Sequence, residues 1–292
     1  MNKIFALGFF DGVHLGHQAL LKTCCKLAEQ LGAQPCAITF QQHPQALFLE
    51  NPPKLINTNN DRLRLLRQYG IGPVRFYPVT RDVMGMSCEA FLEELITCGA
   101  VGFVCGSDFR FGNRGEGNAE KLEEFCRVRN LAFRMVGDQM LDDLRVSSTH
   151  IRTLLEQGEM EQAVRFLGHP HILTGEVVEG RKIGRTIGIP TANLTVPKEV
   201  VQLRHGVYVC KATVEGNAFL AVTNVGNRPT VGGHKVTVEP WLLDFNGDLY
   251  GKTLILEFYS FLRPERKFDS LEDLKAEIQK NAQQTREFFR KP

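Results

Sequence analysis

The hydrophobic pattern of this chain changes once along its length, near Gly168-His169-Pro170. Before that point short apolar runs alternate with segments of helical period, a pattern that calls for a parallel sheet covered by helices. Strands are predicted at Ile4–Leu7, Cys36–Phe40, Val74–Tyr77, Gly102–Cys105 and Ala132–Val136. Helices are predicted at Leu15–Leu31, Asp61–Tyr69, Glu89–Cys98 and Ala119–Arg129, with one more opened by Ser147, broken by Gly158 and resumed to Leu167. Beyond the change Tyr208, Cys210, Ala212 and Val214 alternate on one apolar face, Glu215–Asn217 supplies a hairpin turn, and Ala218–Val225 returns. Trp241–Phe245 and Leu254–Phe258 extend this strand pattern into a small antiparallel barrel. A last helix starts at Ser270, with Asp273 three residues on as in a capping box, and places Leu271, Leu274 and Ile278 on one face. An α/β domain over 1–168 and a barrel domain over 169–292 are expected.

Composition narrows the classes of partner. The 292 residues are 43% apolar and 23% charged with a formal charge of +2, which fits folded domains and gives no bulk attraction for nucleic acid or a membrane surface. An anionic ligand must then be held by a local site. Gln30–Leu49 is uncharged, but Pro35, Gln41, Gln42, His43 and Pro44 interrupt it, so it does not read as a membrane-crossing helix. Lys3 followed by Ile4–Phe10 resembles a short leader, but Asp11 ends the run and no small-residue cleavage site follows, so a buried strand is expected. Eight cysteines without paired C-x-x-C spacing point to a reducing, cytoplasmic setting. Oligomeric state is not legible.

Two stretches carry chemistry in the first domain. Gly8-Phe9-Phe10-Asp11-Gly12-Val13-His14-Leu15-Gly16-His17 joins the first strand to the first helix. Gly12 and Gly16 let backbone approach a ligand, and the helix start offers unpaired amides with partial positive charge. His14 and His17 can donate to phosphate oxygens and stabilise charge developing on an α-phosphate as pyrophosphate leaves. Ser147-Ser148-Thr149-His150-Ile151-Arg152 opens another helix with capping hydroxyls. Arg152 opposes that helix dipole by up to about 1 kcal/mol, a conflict that an anion between them removes.

The first string resembles the H-x-G-H nucleotidyltransferases, and in the form G-x-F-D-G-V-H-x-G-H the adenylyltransferase module of the bifunctional riboflavin kinase/FAD synthetases. S-S-T-x-I-R is similar to that family's second ATP-phosphate motif. The resemblance implies a Rossmann-like domain in which Gly8, Phe10, Asp11, Gly12, His14, Gly16, His17, Ser147, Ser148, Thr149 and Arg152 bind ATP, with His14 and His17 catalytic. Gly106-Ser107-Asp108-Phe109-Arg110-Phe111-Gly112-Asn113 resembles the family's G-x-[DN]-F-x-F-G segment, which implies FMN binding by Asp108, Phe109 and Phe111. His43-Pro44 resembles part of the family's T-F-x-P-H-P segment.

The second half holds a loop from Gly180 to Leu194 whose three glycines and three cations up to Gly188 can wrap a polyphosphate. Pro190-Thr191-Ala192-Asn193 follows and supplies a hydroxyl and an amide oxygen, hard donors suited to Mg²⁺. This resembles the riboflavin kinase signature. The resemblance implies that Gly180, Lys182, Gly184, Arg185, Gly188, Thr191 and Asn193 bind ATP, that Thr191 and Asn193 hold Mg²⁺, and that Glu239 is the catalytic base. It also implies a flavin contact from Arg286 on the terminal helix. The expected activities are phosphorylation of riboflavin to FMN by the barrel and adenylylation of FMN to FAD by the α/β domain. The substrates are then small molecules: ATP, riboflavin and FMN. The alternative is an adenylyltransferase alone, with a barrel that binds flavin without catalysis.

Overall fold

The computed structural model describes residues 1–179, 188–230 and 233–290, the side chains at 228–230 and 233–235 excepted. Its contacts divide the chain into two compact units, one of residues 1–55 and 59–148 and the other of residues 56–58 and 149–292.

In the first unit five strands, β1 (Lys3–Leu7), β2 (Gln34–Phe40), β3 (Val74–Tyr77), β4 (Ala100–Gly106) and β5 (Ala132–Val136), form one sheet. Its order is β3-β2-β1-β4-β5, parallel throughout. The predicted helices are present as α1 (Leu15–Gln30), α2 (Asn59–Gln68), α4 (Cys88–Thr97) and α5 (Ala119–Val128), with a short α3 (Arg81–Met84) before α4. Sequence periodicity found the sheet because its central strands are buried on both faces. Ile4, Ala6, Phe103, Val104 and Cys105 are almost fully enclosed, and such strands read as continuous apolar runs. The chain lays β2 and β3 on one side of β1 and β4 and β5 on the other. The crevice beyond the carboxyl ends of β1 and β4 is therefore the switch point where open α/β sheets take ligands. A two-stranded ribbon, β6 (Met140–Leu141) with β7 (Leu144–Arg145), follows β5 and was not foreseen.

The second unit holds α6 (Ser148–Gln157) from Thr149 onward and α7 (Met160–Leu167), which Gly168 ends in the left-handed conformation that favours glycine. Six strands close into a barrel of order β10-β11-β12-β9-β8-β13, antiparallel at each junction. They are β8 (His171–Val178), β9 (Asn193–Leu194), β10 (Gly206–Val214), β11 (Asn217–Thr230), β12 (Gly233–Leu242) and β13 (Thr253–Pro264). Closure leaves no sheet edge. The run Trp241–Phe245, expected as a strand, instead covers the end of β12 and a turn: Asp244 has φ 60°, which ends an extended segment. Residues 56–58 join this unit through Asn57, whose Nδ2 donates to the Ile172 carbonyl at 2.8 Å.

The terminal helix, α8 (Leu271–Arg290), starts as its sequence suggests. Ser270 Oγ accepts from the Asp273 amide at 3.1 Å and donates to its carboxylate at 2.6 Å. It buries Asn281, Ala282 and Thr285, and Ala282 packs in a cluster with Val207, Val222 and Leu243 of the barrel. Among the described residues no helix is long and apolar enough to cross a membrane.

Candidate functional site

The turn after β1 is held in a costly conformation. Phe10 (φ 52°), Gly12 (φ 83°) and Val13 (φ 41°) all have positive φ, and a β-branched residue there is rare. Each non-glycine in such a state costs on the order of 1–3 kcal/mol and survives only where surroundings over-determine it. The surroundings are dense: Phe10, Asp11 and Val13 are fully buried, the Gly8 amide donates to Ile38 O at 3.3 Å, and Ser148 Oγ donates to Asp11 O at 2.8 Å. That last bond brings Ser148 beside the glycine-rich turn.

His14 caps α1, its Nδ1 accepting the His17 amide at 3.4 Å. The two imidazoles stack with centroids 3.7 Å apart and planes 15° from parallel, and the Phe10 ring meets His17 edge-on at 5.3 Å. Burial, then the charges of His14 and Arg62, hold His17 well below the usual histidine range, so its ring is neutral at pH 7. Its Nδ1 is buried with no hydrogen-bond partner. Gly16 lies between the two histidines on the first turn of α1. Thr149 and Arg152 share the first turn of α6; Arg152 is buried and its guanidinium donates to Thr149 Oγ1 at 3.5 Å.

The segment expected to contact FMN follows β4, at the other side of the switch point. Phe109 and Phe111 stack at 5.6 Å and 13°, Phe111 within the core and Phe109 against it. Asp108 is exposed and pairs with Arg145 at 2.5 Å, while Arg145 also reaches Asp138 at 3.0 Å. Arg145 was missed by sequence reasoning, and it lies two residues before the Ser147 string. A second missed residue is Arg62 of α2, fully buried, whose guanidinium donates to Phe9 O at 2.7 Å and to Phe40 O at 2.5 Å. An arginine in the first turn of a helix opposes the dipole, the signal that singled out Arg152, and would have flagged Arg62 as well.

In the barrel, Gly180, Lys182, Gly184 and Arg185 lie outside the described residues. Gly188 is exposed with φ 76°. The Pro190–Asn193 segment runs along β12: the Ala192 amide donates to Pro240 O at 2.9 Å, and Leu194 pairs with Val238. In an antiparallel ladder the residue before Leu194 lies opposite the one after Val238, so Asn193 faces Glu239 on one side of the sheet. On its other flank Glu239 pairs with Asn224 of β11, whose amide donates to Glu265 at 3.3 Å. Asn193 and Glu239 are both half-buried and Thr191 is exposed. Arg286 of α8 is engaged with Asp244 through two bonds of 2.6 and 2.9 Å, which hold the carboxylate below its ordinary range. Among the described residues no cluster of three or more His, Cys, Asp and Glu side chains could hold a metal by itself.

Comparisons with known proteins match the two halves of the chain to different families. The FAD synthetase family matches residues 1–150, and the riboflavin kinase family matches residues 167–289. A bifunctional riboflavin kinase/FMN adenylyltransferase of Listeria monocytogenes is 35% identical over 100% of this chain and 94% of its own length. One from Bacillus subtilis is 33% identical over 99% and 93%. A crystal structure described as a macrolide-efflux protein from Streptococcus pneumoniae shares the fold with a TM-score of 0.88 and 28% identity, over 98% of this chain and 94% of that one. With both halves matched and full-length relatives agreeing in their order, the chain belongs to the bifunctional riboflavin kinase/FMN adenylyltransferase family.

Proposed function

We infer that this protein makes FAD in two steps: ATP and riboflavin give ADP and FMN, then ATP and FMN give FAD and pyrophosphate. The full-length relatives carry both names, and the efflux description belongs to the Streptococcus pneumoniae protein. We assign adenylylation to residues 1–168 and phosphorylation to 169–292.

For adenylylation the nucleophile is the FMN phosphate, already ionised at neutral pH, so positioning and charge stabilisation carry the rate. We propose that the amides of the Gly8–Gly16 turn, with Phe10, Asp11 and Gly12, enclose the ATP phosphates. His14 and His17 donate to the α-phosphate as pyrophosphate departs. Ser147, Ser148, Thr149 and Arg152 hold the leaving phosphates, and Asp108, Phe109 and Phe111 receive FMN. The bond from Ser148 to Asp11 O supports this grouping, because it ties the first residues of the second motif to the glycine-rich turn.

For phosphorylation the nucleophile is the neutral 5′-hydroxyl of riboflavin, and a base is needed. Glu239 fits that role: it accepts the hydroxyl proton while the oxygen attacks the γ-phosphate. Gly180, Lys182, Gly184, Arg185 and Gly188 wrap the nucleotide, and Arg286 touches the flavin. Thr191 and Asn193 offer oxygen donors that suit Mg²⁺, and as two ligands they fit an ion whose other ligands are phosphates and water. Bound there, the ion supplies charge neutralisation for the transferred phosphoryl group. The observation that carries the reading is Asn193 facing Glu239 across β9 and β12, which sets an oxygen donor beside a carboxylate.

The eight cysteines, all free thiols, suit work in a reducing cytoplasm. Incubating the protein with riboflavin, ATP and Mg²⁺, then with FMN, ATP and Mg²⁺, and separating products by chromatography tests both steps. FMN and FAD from the first mixture and FAD from the second are expected. FAD from the second alone would leave a single-activity adenylyltransferase.

A further inference from the structure

We propose that Arg62 is a positioning residue for the adenylyl-transfer site, holding the turn after β1 in its ligand-binding shape by clamping the carbonyls of Phe9 and Phe40. The proposal rests on the adenylyltransferase reading of that turn.

Arg62 is a fully buried cation, and the bonds its guanidinium makes go to neutral oxygens. One nitrogen donates to Phe9 O at 2.7 Å and Thr39 Oγ1 at 3.4 Å; the other donates to Phe40 O at 2.5 Å and to Asn59 Oδ1. The plane lies near the rings of Phe9 and Phe76, at 4.9 and 5.2 Å. A single rigid fork thus joins three segments: the turn after β1, the end of β2 and the start of α2. A buried arginine is expensive, so a surface position or an apolar residue would serve stability as well. This one is spent on two carbonyls at the carboxyl edge of the sheet.

The geometry gives those bonds a consequence. A trans peptide points its carbonyl and the following amide in opposite directions. Phe9 O is drawn inward by Arg62 and by Thr39 Oγ1, which donates to it at 2.6 Å, so the Phe10 amide is turned outward. Phe10 is also the first of the strained positive-φ residues, and anchoring the peptide before it is what keeps that strain from relaxing. Burial brings the guanidinium down to about 10, partly offset by Asp11, so it stays charged at pH 7. A fixed charge behind the turn also favours an incoming polyphosphate.

The two activities of one chain give the test its own folding control. Full-length Arg62→Met and Arg62→Lys are assayed for FAD from FMN and, separately, for FMN from riboflavin. In Arg62→Met the kcat for FAD synthesis is expected to fall about 100-fold with KM for ATP within about threefold, since the substrate contacts remain but are misaligned. Arg62→Lys keeps the charge but cannot span both carbonyls, and should recover about tenfold of that loss. Riboflavin phosphorylation should stay within about twofold in both. FAD synthesis by Arg62→Met within twofold of the unaltered protein would overturn the proposal. So would an unimpaired Arg62→Lys, or loss of both reactions in parallel in both variants. Failure of the unaltered protein to make FAD from FMN would overturn the reading of the site itself.

Discussion

His14 Nδ1 accepts the backbone amide of His17, and the two rings lie flat against each other at 3.7 Å. Two stacked imidazoliums would repel, and burial adds to that cost, so His17 is neutral before ATP arrives. Replacing His17 with Ala should therefore lower kcat for FAD synthesis by about 100- to 1,000-fold, the range for removing one donor aimed at developing charge. Riboflavin phosphorylation should continue. NMR titration of the histidine resonances should find His17 neutral throughout pH 6–8, because burial, His14 and Arg62 all lower its pKa. A His17 resonance that titrates near 6.5 would contradict the arrangement.

Glu239 should separate the two reactions in the opposite sense. Glu239→Gln keeps the shape of the side chain and removes the proton acceptor, so FMN formation should fall by about 100- to 10,000-fold. FAD formation from supplied FMN should be unchanged. Asn193→Leu should raise the Mg²⁺ concentration needed for half-maximal kinase rate several-fold, measured by titrating the ion at saturating ATP. Equal loss of both reactions in Glu239→Gln would mean that the residue supports the fold.

The first site was legible to the extent that it is local in sequence. Gly12, His14 and His17 lie within six residues, and the turn that joins them is dictated by one strand meeting one helix. Arg62 and Arg145 were not legible, because each acts on segments far from it in the chain: Arg62 on Phe9 and Phe40, Arg145 on Asp108. Parallel strands read clearly from apolar runs, whereas β9 is two residues long and β12 opens on Gly233, His234 and Lys235, so neither starts with enough apolar alternation to be found. The pairing of Asn193 with Glu239 follows from register, which periodicity does not fix between strands distant in sequence.

His171, at the start of β8, is buried in the barrel beside Phe258, and burial together with the nearby His169 lowers its pKa to about 3. Folding therefore excludes a proton that the unfolded chain binds below about pH 6.5. The stability that the neutral ring allows is complete above about 6.5 and is lost as pH falls from there towards 3. Between pH 6.5 and 5 the loss should be about 2 kcal/mol. Trp241, the only tryptophan in the chain, lies against the barrel core and reports its unfolding. The urea midpoint followed by its fluorescence should drop over this range, and the drop should shrink in His171→Phe. An equal drop in both proteins would assign the pH dependence elsewhere.

Arg286 and Asp244 supply the last prediction. The two bonds between them fix a cation on α8 against the turn that ends β12, a few residues beyond Glu239. Asp244 is exposed, and solvent screens such pairs, so stability gives little reason for the bidentate geometry. Orientation gives a better one: a long side chain aimed by a carboxylate meets a flavin with less lost rotamer freedom. Arg286→Ala should raise KM for riboflavin about tenfold with a smaller change in kcat. Asp244→Asn, which keeps the cation but weakens its hold, should raise it by about threefold. Neither should move the thermal midpoint by more than about 2 °C. Riboflavin fluorescence quenching against protein concentration measures the binding directly, and unchanged affinity in Arg286→Ala would leave the pair as a surface contact without a role in flavin recognition.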